Sequence, residues 1–294
     1  MADLVFRRES QVVLGLDPDP SRLWPVPEPD PGLPGATYRA AEAVASHCRA
    51  VIDAAGPACV AVKPQLACFE RLGAPGWAAL GKTIAHARAA GLLVLADAKR
   101  GDIDVSARAY AQALVGSTPT PWGEVDSVRA DAFTANPYMG VDTLEVLIGG
   151  AREVGAGVFV LVRTSNPGAA DVEDLELAAG GRLWEAVAAI VARLGRTGDA
   201  GIADVGAVVG ATVPEHVARM RELMPRTPFL LPGVGAQGGR VEDLAPAFAP
   251  GRAGGLVTAS RSIVGAHEEA GGEPAAAARA EAERLRAAAW ALAA

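Results

Sequence analysis

The segment Leu92–Ile103 reads LLVLADAKRGDI, an apolar run that breaks into alternating charges. Along an extended strand residues i and i+2 face the same way, so Asp97 and Lys99 are expected to project together. Gly101 permits a tight turn, and Asp102 follows it in the loop. Another apolar run, Ala58–Val62, stops at Lys63. Two lysines and two aspartates of alternating sign would keep one another ionised even when partly buried, because each charge favours the charged form of its neighbours. A structural ion-pair network would use the same residues.

A second constellation suits an anion. Leu230–Arg240 reads LLPGVGAQGGR, and its glycines let backbone N–H groups come close to phosphate oxygens. Further on, VTASRSI carries Arg261, whose planar fork grips two oxygens at once. A Gly-rich turn beside a surface arginine is the plainer alternative. The four histidines, His47, His86, His216 and His267, fall in expected helices or near the C-terminus, with no metal-ligand spacing. Ser165 and Ser262 have no histidine or clear base in the same motif, which argues against nucleophilic catalysis.

These residues need elements to hold them. Candidate strands are Gln11–Leu16, Ala58–Val62, Leu92–Ala96, Ala130–Thr134, Gly157–Val162, Gly206–Val209, Phe229–Leu231 and Leu256–Ala259. Most are continuously apolar, as parallel strands buried on both faces must be. Helical stretches alternate with them: Tyr38–Ala55, Trp77–Ala90, Val105–Val115, Val141–Ile148, Leu183–Leu194 and Pro214–Leu223. The pattern predicts an α/β fold, a (β/α)8 TIM barrel, for which about 250 residues is typical. A doubly wound open sheet is the rival, but no Gly-x-Gly-x-x-Gly follows the first strand.

In such a barrel the chemistry gathers at the C-terminal ends of the strands. Those ends are Asp17, Lys63, Asp97 to Lys99, Arg163-Thr164-Ser165, Pro232 to Gln237, and Ser260-Arg261-Ser262. Residues 1–294 read as one domain. A Pro-rich loop covers about 17–35, Ser165–Gly181 is a candidate lid, and a closing helix at about 274–293 offers Trp290 and Leu292 for docking.

Of the 294 residues 50% are hydrophobic and 21% charged, ample for a large core without staples. The net charge of −7 disfavours nucleic acid and anionic lipid as partners. No apolar run approaches the roughly 18 residues that span a bilayer. The opening MADLVFRRESQ does not read as a signal peptide. Three cysteines, Cys48, Cys59 and Cys68, form no CxxC and read as reduced thiols of a cytoplasmic protein.

Together these segments resemble the orotidine 5′-phosphate decarboxylase family, in the branch whose motif reads D-x-K-R-G-D-I. Here it stands as Asp97-Ala98-Lys99-Arg100-Gly101-Asp102-Ile103. Asn136-Pro137-Tyr138-Met139-Gly140, Ser165-Asn166-Pro167-Gly168 and Pro232 through Gly239 look like further family segments, so the resemblance runs in order from Asp17 to Arg261. DxKxxD alone is shared with related phosphosugar enzymes, whereas DAKRGDI with PGVGAQGG and a later Arg-Ser is specific.

The resemblance implies a homodimer with active sites at its interface. Lys63, Asp97 and Lys99 would come from one subunit and Asp102 from its partner. Asp17, Ser106, Ser165, Pro232, Gln237 and Arg261 would bind substrate: Asp17 with Lys63 on the ribose, Ser165 on the pyrimidine edge, Gln237 and Arg261 on the phosphate. Ser106 stands where the family usually has Thr. The implied reaction converts orotidine 5′-phosphate to UMP and CO₂, with no metal, flavin or pyridoxal cofactor. Lys99 would stabilise and protonate the carbanion at C6. The nearest rival is a Mg²⁺-dependent phosphosugar decarboxylase or aldolase, where a Glu tends to occupy the position of Lys63. A silent nucleotide-binding protein is a second rival, opposed by the complete charged set.

Overall fold

All eight apolar runs become parallel strands in the computed structural model, which describes residues 1–293. In chain order the strands are β1 (Val12–Leu16), β2 (Ala61–Pro64), β3 (Leu93–Arg100), β4 (Ser117–Thr120) and β5 (Gly123–Asp126). They continue with β6 (Ala132–Ala135), β7 (Gly157–Arg163), β8 (Val205–Val209), β9 (Phe229–Leu231) and β10 (Gly255–Ala259). Eight of them close into a barrel in the order β1-β10-β9-β8-β7-β6-β3-β2. The remaining two, β4 and β5, pair as an antiparallel hairpin outside it. The sequence hides this hairpin, because its strands are short, mostly polar, bury no residue fully and carry no apolar alternation.

Alternation across each strand explains the two apolar layers. On β1, Val13 joins Leu95, Phe159, Val208, Leu230 and Leu256 inside the barrel. Val12, Leu14 and Leu16 face outward onto the helices. Interior packing is tight at one named spot: a Cβ on Gly206 would lie 2.3 Å from the ring of Phe159. Removing that ring would cost about 3–5 kcal/mol.

The helices are α1 (Ala2–Arg8), α2 (Ala36–Ala55), α3 (Leu66–Glu70), α4 (Gly73–Ala89), α5 (Asp104–Leu114) and α6 (Val141–Glu153). They are followed by α7 (Leu183–Leu194), α8 (Pro214–Leu223), α9 (Arg261–Val264), α10 (Ala266–Ala270) and α11 (Pro274–Leu292). In α2 the buried Val44, Ala45, Cys48, Val51, Ile52 and Ala55 fall on one helical face. The closing helix α11 docks mainly through Ala278, Ala282, Leu285 and Ala289. Its Trp290 is only half-buried, set edge-on against Phe6 with the Arg252 guanidinium 3.8 Å from the ring centre. Trp290 and Leu292 pack against the apolar clusters from the edge of this surface, and the fully buried contacts are the three alanines and Leu285.

The Pro-rich loop lies on the barrel rim instead of standing free. Trp24 is buried; its amide donates to His47 Nδ1 at 3.0 Å and its indole N–H to the Val264 carbonyl at 2.9 Å. No helix among the described residues is long and apolar enough to cross a membrane.

Candidate active site

Lys63 stands at the C-terminal end of β2 and Asp97 near that of β3, where both are buried. Asp97 is the centre of the site. Its Oδ2 accepts from Lys63 Nζ at 2.5 Å, and its Oδ1 accepts from Lys99 Nζ at 2.5 Å. Two neutral donors complete the shell: Gln65 Nε2 at 3.3 Å on Oδ2 and the Thr134 hydroxyl at 2.9 Å on Oδ1. Burial alone would raise the Asp97 pKa, but the two ammonium groups hold it down at about 2. Burial likewise opposes the charge of Lys63, and the Asp97 carboxylate outweighs it, moving that lysine above its ordinary 10.5.

The two side chains meet by a route that simple strand alternation does not describe. On β3, Ala96 pairs with Phe133 and Arg100 with Ala135, so Asp97, Ala98 and Lys99 lie opposite Thr134 alone. The strand therefore bulges, and Lys99 adopts a left-handed backbone with φ of 49°. Its N–H donates to the Thr134 hydroxyl at 2.9 Å. The sequence does not mark Thr134 and Gln65 as site residues, because a threonine in AFTA reads as a strand former and a glutamine after Lys63-Pro64 matches no motif.

These groups floor a cavity of about 400 Å³ at the mouth of the barrel. Asp17 and Thr164 reach it from the ends of β1 and β7, and Ser165, Pro232, Gln237 and Arg261 line its wall. In the loop after β9, Gly233 has φ of +100°, and a Cβ there would come within 3.1 Å of the Ser165 side chain. The N–H groups of Gly235, Gly238 and Gly239 donate to carbonyls inside the same loop. Those glycines thus shape the loop, and they do not all turn their N–H groups to an anion.

Two expected residues lie elsewhere. Asp102 and Ser106 do not line the cavity of their own chain; Asp102 is half-buried with its Oδ1 accepting the Ile103 N–H at 2.8 Å, and Ser106 is exposed. Arg163, at the end of β7, also takes no part. It turns to Asp174 through two hydrogen bonds of 2.9 Å, while the Thr164 amide donates to Glu173 at 2.8 Å. The candidate lid, Ser165–Gly181, is therefore tethered at its middle. Each histidine is engaged away from the cavity: His47 on Trp24, His86 on Asp53, His216 beside Trp184 and His267 beside Trp24. Burial pushes the Cys48 and Cys59 thiols up to about 12, which leaves them inert as nucleophiles.

The model of the orotidine 5′-phosphate decarboxylase / HUMPS family matches residues 10–280. The orotidine 5′-phosphate decarboxylase of Rhodopirellula baltica is 42% identical over 271 residues, covering 90% of this chain and 86% of that protein. The enzyme of the same name from Haloarcula marismortui is 43% identical, covering 92% and 87%. Among solved structures, Leishmania donovani OMP decarboxylase superposes with a TM-score of 0.73 at 32% identity, covering 98% of each chain. The chain spans 56% of the UMP synthase from the same organism, at a TM-score of 0.72.

Proposed function

This chain belongs to the orotidine 5′-phosphate decarboxylase / HUMPS family and converts orotidine 5′-phosphate to UMP and CO₂ in pyrimidine biosynthesis, and we propose how its residues divide that work. The observation that carries the assignment is the Asp97 carboxylate clamped between Lys63 and Lys99 at 2.5 Å each, on the floor of the cavity.

The substrate phosphate lies against Gln237 and Arg261, where the guanidinium fork makes paired contacts with its oxygens. Asp17 and Lys63 hold the ribose, Ser165 meets the pyrimidine edge, and Pro232 packs beside the base. This places the C6 carboxylate near Asp97, which stays ionised because its pKa is about 2. Like charges face each other in the bound state, and the repulsion eases as CO₂ departs. The C6–carboxylate bond breaks, its electron pair remains on C6, and Lys99 gives C6 a proton from Nζ before recovering one from solvent. Phosphate binding, remote from C6, contributes energy that holds the reacting groups together.

The active species is a homodimer in which Asp102 and Ser106 serve the partner's cavity. Their absence from their own cavity supports this, as do the exposed apolar neighbours Ile103, Val105 and Tyr138 on the same rim. The cytoplasm suits its three reduced thiols. Mixing inactive Lys99→Ala and Asp102→Ala proteins in equal amounts tests the shared site. Half the dimers become hybrids with one intact site, and about a quarter of native activity returns. No recovery after demonstrated subunit exchange overturns the shared-site assignment.

A further inference from the structure

We infer that Thr134 is the positioning residue for the Lys99 ammonium, holding the lysine backbone and the Asp97 carboxylate with one hydroxyl. Three observations converge on it. The ladder between β3 and β6 is broken over Asp97, Ala98 and Lys99, with Thr134 the single residue opposite. At that break the Lys99 N–H donates to the Thr134 side chain at 2.9 Å, so the hydroxyl takes the place of a ladder carbonyl. The same hydroxyl gives its only proton to Asp97 Oδ1 at 2.9 Å, the oxygen that also receives Lys99 Nζ.

A closed ring follows: the Lys99 N–H donates to Thr134, Thr134 donates to Asp97, and Lys99 Nζ donates to the same carboxylate. Lys99 needs such support. Its φ of 49° is a conformation that residues with a Cβ avoid unless their surroundings impose it. Its side chain is also the more exposed of the two lysines, 42% against 8% for Lys63, so packing restrains it less. Thr134 itself is 1% exposed, and a buried hydroxyl with both roles filled has one orientation available. Without the hydroxyl, a left-handed N–H and one carboxylate oxygen each lose a partner. The lysine backbone is then free to relax toward the regular ladder, which carries Nζ out of line with C6.

The inference rests on Lys99 as proton donor, so its test includes that residue. Thr134→Val preserves shape and removes the hydroxyl; Thr134→Ser keeps the hydroxyl and removes a methyl. Thr134→Val is expected to lower kcat for orotidine 5′-phosphate roughly 10- to 100-fold, the effect of one hydrogen bond to a charged group. KM and UMP affinity should hold, because the phosphate and ribose contacts are untouched. Thr134→Ser should recover most of the lost kcat. Native kcat in Thr134→Val, or kcat as low in Thr134→Ser, overturns the inference. So does a parallel loss of kcat and UMP affinity, which would mark general damage to the barrel mouth. Should Thr134→Val not fold, Thr134→Ala against Thr134→Ser gives the same comparison. If Lys99→Ala keeps full turnover, the lysine assignment fails and the inference with it. If Lys99→Ala is inactive while Thr134→Val is native, the inference about Thr134 alone fails.

Discussion

Gly15 on β1 lies directly beneath Ser260 at the end of β10: a Cβ on Gly15 would approach the Ser260 Cβ to 2.6 Å. Gly15 stands two residues before Asp17, and Ser260 immediately precedes Arg261. One close approach therefore sets the distance between the proposed ribose and phosphate contacts. Gly15→Ala should push the Ser260–Arg261 turn outward at a cost of about 1–3 kcal/mol. Calorimetry with UMP and uridine would locate the effect. UMP affinity should fall roughly 10-fold while uridine affinity changes little. An equal loss for both ligands would count against this spacing role.

Asp97 links the site to acid stability. Its pKa falls from an ordinary 3.8 to about 2 in the folded protein. A carboxyl depressed in this way contributes stability that is fully present above pH 3.8 and is lost as pH falls through 2. The contribution amounts to about 2 kcal/mol. Asp97→Asn lacks this titration, so the stability gap between native protein and variant should shrink by about 2 kcal/mol from pH 5 to pH 2. Denaturant melts across that range would read it, and a constant gap would contradict the assignment.

His47 has the opposite chemistry and a wider window. Burial lowers its pKa from 6.5 to about 4, and it accepts the Trp24 amide only while Nδ1 carries no proton. Because the unfolded chain binds this proton more readily, stability should decline as pH drops below 6.5, by about 2 kcal/mol at pH 5. Amide exchange at Trp24 should accelerate over the same range as the Pro-rich loop loosens. In His47→Asn the decline between pH 7 and pH 5 should flatten; an unchanged slope would assign it to other groups.

The barrel is readable in the chain because each of its strands is buried on both faces and so must be apolar nearly throughout. Phe229–Leu231 is recognisable even at three residues for that reason. The hairpin Ser117–Asp126 has no such obligation, since it lies outside the barrel, with β5 exposed throughout and no residue of β4 fully buried. In the site, charge at strand ends identifies Lys63, Asp97 and Lys99, yet the same rule misplaces Arg163. Whether a terminal charge faces the cavity depends on its partner, and Asp174 lies 11 residues further along the chain. Thr134 acts through geometry that exists only after β3 bulges, and Gln65 through a pairing with Asp97 one residue beyond β2, so residue type alone cannot announce them.

Lys99, held on Asp97, is proposed to deliver the proton that completes decarboxylation. Loss of orotate ultraviolet absorbance on adding orotidine 5′-phosphate in EDTA, with UMP identified as product, measures it for native protein and Lys99→Ala side by side. Rapid turnover is expected of the native protein. The variant should lose roughly 100- to 10,000-fold, the usual worth of a positioned acid. Native protein that binds UMP without turning over substrate, or a Lys99→Ala variant as active as an active native protein, would overturn the role given to Lys99.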